Sequence, residues 1–419
     1  MQARSAEVAI IGAGPAGAHL ASRLAAEGRD VALFDPKGAW EKPCGGGVPT
    51  RAIREFAFIL ESSSYPRKLV RQITMISPLE RRVTLVLDQP FAVYSREVLN
   101  SLVLDRAVEA GAEFVREAVS SFAREGDGWT ISTESGAQWR VRFLVGADGA
   151  SSSTRRRLIG IFPKRDLALA FGYNVTIEGP SNDKPTDVPA VHESSPDEVV
   201  MRFPKDFTGY IWAFPRPNVM NFGVASKLGE RSSDELRTLL TDFVRDYYQG
   251  KMPDASRMSF FGAKIPVLDR ASWRDLRATG DGWALIGDAA GFVDPITGEG
   301  IYYALRSADL LADALGLASG SPMQRRIGLQ GARHGGYAQA QSVYEDSWRQ
   351  AFGWELERAS QMLPRFYRGY FLGHRFTDAT IRFARYHEGV RKVLMRLIVG
   401  DQSYLTLKRD LMRSAWRVI

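Results

Sequence analysis

An apolar run, Val8 to Ile11, is followed by three glycines spaced Gly12-x-Gly14-x-x-Gly17 and by a helical pattern from Ala16 to Glu27. Few backbone folds accept that order. Gly12 permits a tight turn, Gly14 lets the main chain approach a bound group, and Gly17 lets the helix lie close against the strand. Gly28 stops the helix, and a second short strand, Asp30 to Phe34, ends at Asp35. This strand–turn–helix–strand unit predicts the opening of a doubly wound α/β domain. Free N–H groups and the dipole at the helix start favour an anion, so the turn suits a dinucleotide pyrophosphate. Asp35 is then placed to accept hydrogen bonds from an adenosine ribose. A glycine turn of purely structural purpose is the competing reading.

Two glycine–aspartate turns repeat the theme. Residues 138–147 read as a strand ending in Val145-Gly146-Ala147-Asp148-Gly149-Ala150-Ser151, before an Arg-rich helix start at Arg155 and Arg156. Alone, that segment is compatible with any strand-to-helix turn. Trp283 to Ile286 reads as a short buried strand leading into Gly287-Asp288, with Asp294-Pro295 and Gly298-Glu299-Gly300-Ile301 after it. Gly298 to Leu315 reads as a helix whose positive end faces a ligand.

Elsewhere, 69–77 and 82–87 read as paired strands joined by a turn at Pro78, and Ser95 to Glu109 as a helix ended by Gly111. From about 166 to 226 the pattern is mostly strand-like, a different texture that marks an inserted sheet. GPSNDKPTD (179–187) reads as an exposed loop, and beyond about 330 the chain reads as helical to the end. The expected class is α/β, in three parts. A Rossmann-type nucleotide domain takes 1–65, 92–160 and 275–320. An antiparallel-sheet substrate domain takes 66–91 and 161–274, and a helical C-terminal region takes 321–419.

Composition excludes several chemistries. One cysteine in 419 residues rules out a disulfide within the chain and a Cys-based zinc site, and the five histidines show no HxxxH or HExxH spacing, so no metal is expected. No stretch reaches the ~18 uncharged apolar residues of a membrane span. MQARSAEVAI lacks the apolar core and cleavage site of a signal peptide, so a cytoplasmic location is expected. The net charge of +7 is uneven, because Arg365 to Ile419 holds 12 Lys/Arg against 4 Asp/Glu. The basic character belongs to the tail, and nucleic acid is not an expected partner.

Taken together, the GxGxxG, DG and GD segments resemble the FAD-dependent oxidoreductases of the aromatic-hydroxylase fold, over roughly residues 7–316. The resemblance implies non-covalent FAD. Gly12, Gly14, Ala16, Gly17, Asp35 and Lys37 would hold its ADP half, with Asp148 and Gly149 nearby. Arg96 would lie beside the cofactor, and Asp288 would bind the ribityl–pyrophosphate linker. Gly298, Gly300 and Ile301 would present N–H groups to the flavin N1–C2=O edge, where the reduced ring carries negative charge.

The lone cysteine narrows the family. It stands in Lys42-Pro43-Cys44-Gly45-Gly46-Gly47, followed by Val48-Pro49. That stretch, and Tyr210-Ile211-Trp212-Ala213-Phe214-Pro215 matching YxWxFP, resemble the geranylgeranyl reductase family. GEGIYYAL (298–305), MISP (75–78) and SREVLNSLVLDRAVEAGA (95–112) are similar to the branch acting on chlorophyll or geranylgeranyl diphosphate. The resemblance implies that Cys44, Gly45 and Gly47 lie against the isoalloxazine ring, with Cys44 near its reactive face. A cysteine that serves only as a small hydrophobe is the plainer reading. Tyr210, Trp212 and Phe214 alternate, so they share one face of a strand. They form either a plain aromatic core or, as the resemblance implies, the catalytic and substrate wall for an isoprenoid chain.

The implied activity is hydride transfer from reduced flavin N5 to an isolated C=C bond of a polyprenyl group. A monooxygenase or halogenase on the same fold is the alternative, although halogenases there show WxWxIP. A non-catalytic FAD-containing isoprenoid carrier is a second alternative. No second GxGxxG is present, so NAD(P)H or reduced ferredoxin would dock transiently. Residues 391–399 and 407–419 mix basic and apolar residues, which predicts peripheral membrane contact, against the alternative of helices packed on the core.

Overall fold

The computed structural model describes residues 3–177, 197–319, 336–371 and 373–416. The 179–187 loop falls outside them. Strand β1 (Arg4–Ile11) is apolar from Val8 on because it is a central strand, with parallel neighbours on both edges. Helix α1 (Pro15–Ala26) begins with Pro at its first position and buries Leu20, Ala21 and Leu24. β2 (Val31–Phe34) follows. The chain next makes β3 (Gly47–Val48), α2 (Thr50–Glu55), the paired strands β4 (Arg67–Ile76) and β5 (Arg82–Tyr94), and α3 (Arg96–Glu109). Four strands then return to the first sheet: β6 (Glu113–Val115), β7 (Val119–Glu125), β8 (Gly128–Thr133) and β9 (Gln138–Gly146).

The sheet-rich stretch comprises β10 (Leu167–Thr176), β11 (Glu198–Arg202), β12 (Gly209–Pro215), β13 (Val219–Lys227), helix α4 (Ser233–Tyr247) and β14 (Met258–Pro266). β15 (Thr279–Gly280) and β16 (Trp283–Leu285) rejoin the first sheet and lead to α5 (Ile301–Ser319). Among the described residues the helices α6 (Gly336–Trp348), α7 (Trp354–Arg368), α8 (Phe376–Tyr386), α9 (Glu388–Ile398) and α10 (Leu407–Trp416) follow.

Two eight-stranded sheets result. The first has the order β15-β16-β9-β1-β2-β6, with β7 and β8 branching from β9. Its parallel register aligns Ile11 with Phe34 and Gly146, and Gly146 with Leu285. The Gly12 turn, Asp35, Ala147 and Gly287 therefore leave the sheet at one edge, the carboxyl end of its strands, where open α/β sheets bind ligands. The second sheet has the order β14-β10-β13-β12-β11-β4-β5-β3. It is antiparallel except where β11 lies parallel to β4, with Glu198 opposite Gln72.

Several expectations change. α5 starts at Ile301, three residues later than expected, because Gly298 adopts φ +70° and its N–H closes a turn on the Asp294 carbonyl at 2.8 Å. α4, for which no element was expected, lies past the strand-like stretch that ends near 226, between β13 and β14. Ser232 and Glu235 form its capping box, and Leu236, Leu240 and Phe243 bury against the second sheet. Among its described residues the C-terminal region is mainly helical, with a π-helical turn at Arg349–Gly353, but Tyr370–Phe371 pairs with His374–Arg375 as a short hairpin between helices. The apolar residues of α9 are not exposed. Val390, Val393, Leu394 and Leu397 are buried in a core shared with Leu363 and Tyr367 of α7. The end of α9 reaches back to α2, where Arg51 N–H donates to the Val399 carbonyl at 3.1 Å and Arg54 pairs with Asp401 at 2.6 Å.

Candidate active site

The three motifs and the Cys44 loop converge on one cavity. Gly14, Arg96, Gly149, Asp288, Gly298, Gly300 and Ile301 line it from the first sheet and its helices. Cys44, Gly45 and Gly47 line it from the loop, and Tyr210, Trp212 and Phe214 from β12. Asp35, Lys37 and Asp148 are not among the lining residues.

At the first motif, a Cβ on Gly12 would stand 2.4 Å from the Ala147 carbonyl oxygen, and one on Gly17 would stand 1.9 Å from the Gly12 oxygen. Both glycines are demanded by backbone packing. A Cβ on Gly14 would meet nothing within 4 Å. Ala16 is buried and packs beside Gly287, which joins the first motif to the third. Asp35, expected to accept hydrogen bonds from an adenosine ribose, accepts N–H bonds from Ala13 (2.9 Å), Lys37 (2.8 Å) and Gly38 (3.0 Å), so its carboxylate also organises the loop that follows β2. The Lys37 ammonium lies 3.9 Å above the Trp40 ring. Asp148 caps a short helix, accepting from the Ser153 and Thr154 N–H groups (2.8 and 3.0 Å) and from nearby hydroxyls. Its acceptor capacity is directed there.

Lys42 links the second and third motifs. Its ammonium bonds Asp288 at 2.9 Å and stands close to Gly149. Burial raises the Asp288 carboxyl, but the Lys42 charge and hydrogen bond, with the Arg96 charge, together outweigh it and the net shift is downward. Arg96 is buried, donates to Asn100 at 3.3 Å, and keeps its Nε unpartnered.

The Cys44 loop is clamped from two sides, by the start of α3 and by Arg216. Glu41 accepts the Ser95 hydroxyl and the Glu97 N–H (3.2 Å) at the start of α3, and pairs with the buried Arg216 at 2.7 Å. The other Arg216 nitrogen donates to the Cys44 carbonyl at 2.6 Å. The half-buried Cys44 thiol accepts the Gly46 N–H at 3.3 Å. The next three glycines are crowded by protein. A Cβ on Gly45 would meet Phe214 at 2.7 Å, one on Gly47 would meet Phe91 at 2.6 Å, and one on Gly46, at φ +82°, would stand 1.9 Å from the Tyr94 carbonyl oxygen.

Along β12, Tyr210, Trp212 and Phe214 share a face, with successive ring centroids 5.7 and 6.3 Å apart. Trp212 Nε1 donates to Asn221 at 2.8 Å and the Tyr210 hydroxyl to the Thr297 carbonyl at 2.6 Å. Leu363, Leu397 and Ile398 add apolar lining to the cavity from the C-terminal helices.

Sequence reasoning passed over Lys42, Glu41, Arg216 and Glu299. Lys42 and Glu299 stand inside quoted motifs, so a charged residue next to a glycine run was the available signal. Glu41 and Arg216 are brought together only by the fold. The residues fit an FAD: the open backbone at Gly14, the buried Arg96 with a free Nε, and the glycine-lined edge form a cradle for a nucleotide and a planar ring. Among the described residues no cluster of three metal-ligating side chains occurs, and no helix is long and apolar enough to cross a membrane.

Comparison with known proteins agrees with this geometry. The model of the FAD binding domain matches residues 5–320. The geranylgeranyl diphosphate reductase of Rhodobacter capsulatus is 31% identical over 337 residues, 77% of this chain and 78% of the relative. The chloroplastic enzyme of the same name from Arabidopsis thaliana is 28% identical, covering 74% of this chain and 66% of its own. The crystal structure of a geranylgeranyl bacteriochlorophyll reductase-like protein from Thermoplasma acidophilum shares the fold, with TM-score 0.72 at 20% identity over 99% of this chain and 100% of that one. With its FAD-binding domain and this degree of identity over most of its length, the chain belongs to the geranylgeranyl reductase family of FAD-dependent oxidoreductases.

Proposed function

We propose that this chain is an FAD-dependent reductase that saturates C=C bonds of a geranylgeranyl or related polyprenyl group. One observation carries the reading: the aromatic face of β12, the turn bearing Asp288 and apolar residues of the C-terminal helices line a single cavity. When bound, FAD supplies the reducing equivalents as a hydride. The residues 1–65, 92–160 and 275–320 hold the cofactor, and 66–91 with 161–274 shape the substrate side. Gly12, Gly14, Ala16, Gly17, Asp35 and Lys37 serve the ADP half, Gly14 by leaving its backbone uncovered and Asp35 by fixing the loop. Asp148 and Gly149 set the second turn. Arg96, Lys42 and Asp288 hold the linker region. Gly298, Gly300 and Ile301 offer the helix end to the ring.

Cys44 stands at the ring, on the side of the Gly45–Gly47 backbone that faces the cavity. Tyr210, Trp212 and Phe214 wall the polyprenyl chain. Their ring faces stabilise positive charge developing on an unactivated alkene, and the apolar wall excludes water. NAD(P)H or reduced ferredoxin delivers electrons by transient docking. Peripheral contact with an anionic membrane falls to α10, where Lys408, Arg409, Arg413 and Met412 are exposed.

The test is anaerobic mixing of the photoreduced protein with geranylgeranyl diphosphate and other polyprenyl lipids. Flavin reoxidation with a saturated product is expected. Turnover that requires O2 would favour the monooxygenase or halogenase, and substrate binding without reoxidation would favour the carrier.

A further inference from the structure

Saturating an alkene takes a proton as well as a hydride, and the assignments above name no source for it. Lys42 and Asp288 are committed to each other. The Tyr210 hydroxyl gives its hydrogen bond to the Thr297 carbonyl, and burial, with Cys44, Asp294 and Glu299 nearby, holds its pKa above the ordinary range. Asp294 is buried among the Tyr404 hydroxyl (2.7 Å) and the Ile296 and Thr297 N–H groups (2.8 and 3.2 Å). Glu299 differs. It is half-buried and lines the cavity between Gly298 and Gly300. Its Oε1 takes the Tyr302 N–H at 2.7 Å, which fixes the carboxyl while leaving Oε2 to carry a proton.

We propose that Glu299 is the general acid of the polyprenyl half-reaction, its carboxyl delivering the proton to the alkene carbon next to the one that receives hydride. The proposal rests on the reading of the site as a polyprenyl reductase. The balance is complete: reduced flavin supplies the hydride and its two electrons, the Glu299 O–H bond breaks, and a second C–H bond forms. The carboxylate regains its proton from solvent when product leaves.

The surroundings fit an acid that keeps its proton at neutral pH. Burial pushes Glu299 up to about 8; the Tyr302 N–H opposes this, Asp294 adds to it, and the Ile301 N–H and Arg51 oppose it. Tyr210 from β12 and Tyr303 from α5 are the other titratable groups that face it. Asp294 and Glu299 are two nearby carboxyls in an apolar setting, so losing the second proton is disfavoured. The carboxyl is therefore protonated below about 8 and becomes an acceptor only as pH rises through that value.

The test uses FAD-loaded wild type and Glu299→Gln, photoreduced and mixed anaerobically with geranylgeranyl diphosphate across neutral and alkaline pH. Gln keeps the acceptor for the Tyr302 N–H, so FAD content and the rate of flavin reduction stay as in wild type. Reoxidation slows by roughly 10²–10⁴-fold, the usual worth of a general acid. Wild-type reoxidation declines as pH rises through about 8, and the variant loses that decline. Glu299→Asp, which keeps an acid, restores part of the rate. Infrared difference spectra of the wild type show a protonated-carboxyl band that fades over the same pH range and is missing in Glu299→Gln. Equal reoxidation in both proteins, or no such band in the wild type, overturns the assignment. A wild type that never reoxidises with any polyprenyl substrate sinks the reductase reading instead, and the infrared band still decides where the proton resides.

Discussion

Two glycine runs meet at the cavity, and they serve opposite ends. In Gly12-x-Gly14-x-x-Gly17 the outer glycines are jammed against protein backbone while the middle one opens onto empty space. In Gly45-Gly46-Gly47 all three are pressed by the protein itself, through Phe214, Tyr94 and Phe91. The first run leaves room for a ligand. The second leaves room for the aromatic strand, and only its remaining side is available to a flat ring. A glycine run is thus a statement about close approach, and what approaches is decided by the rest of the fold.

The contrast can be broken most sharply at Gly46 and Gly14. Gly46→Ala forces a Cβ onto the Tyr94 carbonyl at a φ of +82°, so a loss of roughly 3 kcal/mol or more is expected in chemical denaturation. Gly14→Ala, at φ −69° with open space around it, should cost within about 1 kcal/mol, yet weaken FAD binding at least ~10-fold. Equal stability losses in the two variants would erase the distinction.

Arg216→Gln comes next. It leaves Glu41 without its cation and the Cys44 carbonyl without its donor, for a loss of roughly 2–3 kcal/mol. Alkylation of Cys44, the only thiol, should speed up as the loop loosens; an unchanged rate would show that the clamp does not hold the loop. Burial raises Glu41, but Arg216 and the bonds from α3 bring it below the usual carboxylate range. The clamp therefore stabilises the fold above the ordinary carboxylate pKa, and its contribution is lost as pH falls through the depressed value.

Asp288→Ala should reduce FAD affinity by ~10–150-fold, since charge-assisted bonds are worth ~1.5–3 kcal/mol. Cys44→Ala should keep FAD and lower polyprenyl turnover. Equal FAD retention in wild type and Asp288→Ala, by spectral titration, would remove Asp288 from the linker site. The smallest effect belongs to Trp212→Phe, which deletes the bond to Asn221 at a cost of ~1–2 kcal/mol. Flavin reduction should be unaffected and polyprenyl reoxidation slowed; a parallel loss in both would mean that Trp212 acts in folding.

Local signals made the nucleotide half readable. β1, the glycine turn, α1 and β2 are set by short-range pattern, and the parallel register then had to carry Gly146 and Gly287 to the same edge. The two carboxylates that fix loops, Asp35 and Asp148, were legible as acids but not as caps. Which N–H groups they reach depends on turns finished by residues further along. The capping box of α4 was present in Ser232 and Glu235, just past the strand-like stretch that ends near 226, and was not read. The hardest case was α9. A helix of mixed basic and apolar residues buries its stripe against whatever lies nearest, and the core shared with α7 is a long-range partner invisible in the helix's own residues.

The bond between the Arg51 side chain and the Gly400 carbonyl spans 349 residues. That interval has a consequence for how the chain is born. At the ~5–20 residues per second of synthesis, the cavity's apolar wall is completed roughly 20–70 s after the Cys44 loop has emerged. The aromatic row of β12, made midway through that interval, waits roughly 9–37 s for the same wall. Each ribosome thus holds, for some tens of seconds, a half-built apolar cleft whose last wall has not yet been translated, and exposed surface of that kind is where a nascent chain is most prone to aggregate.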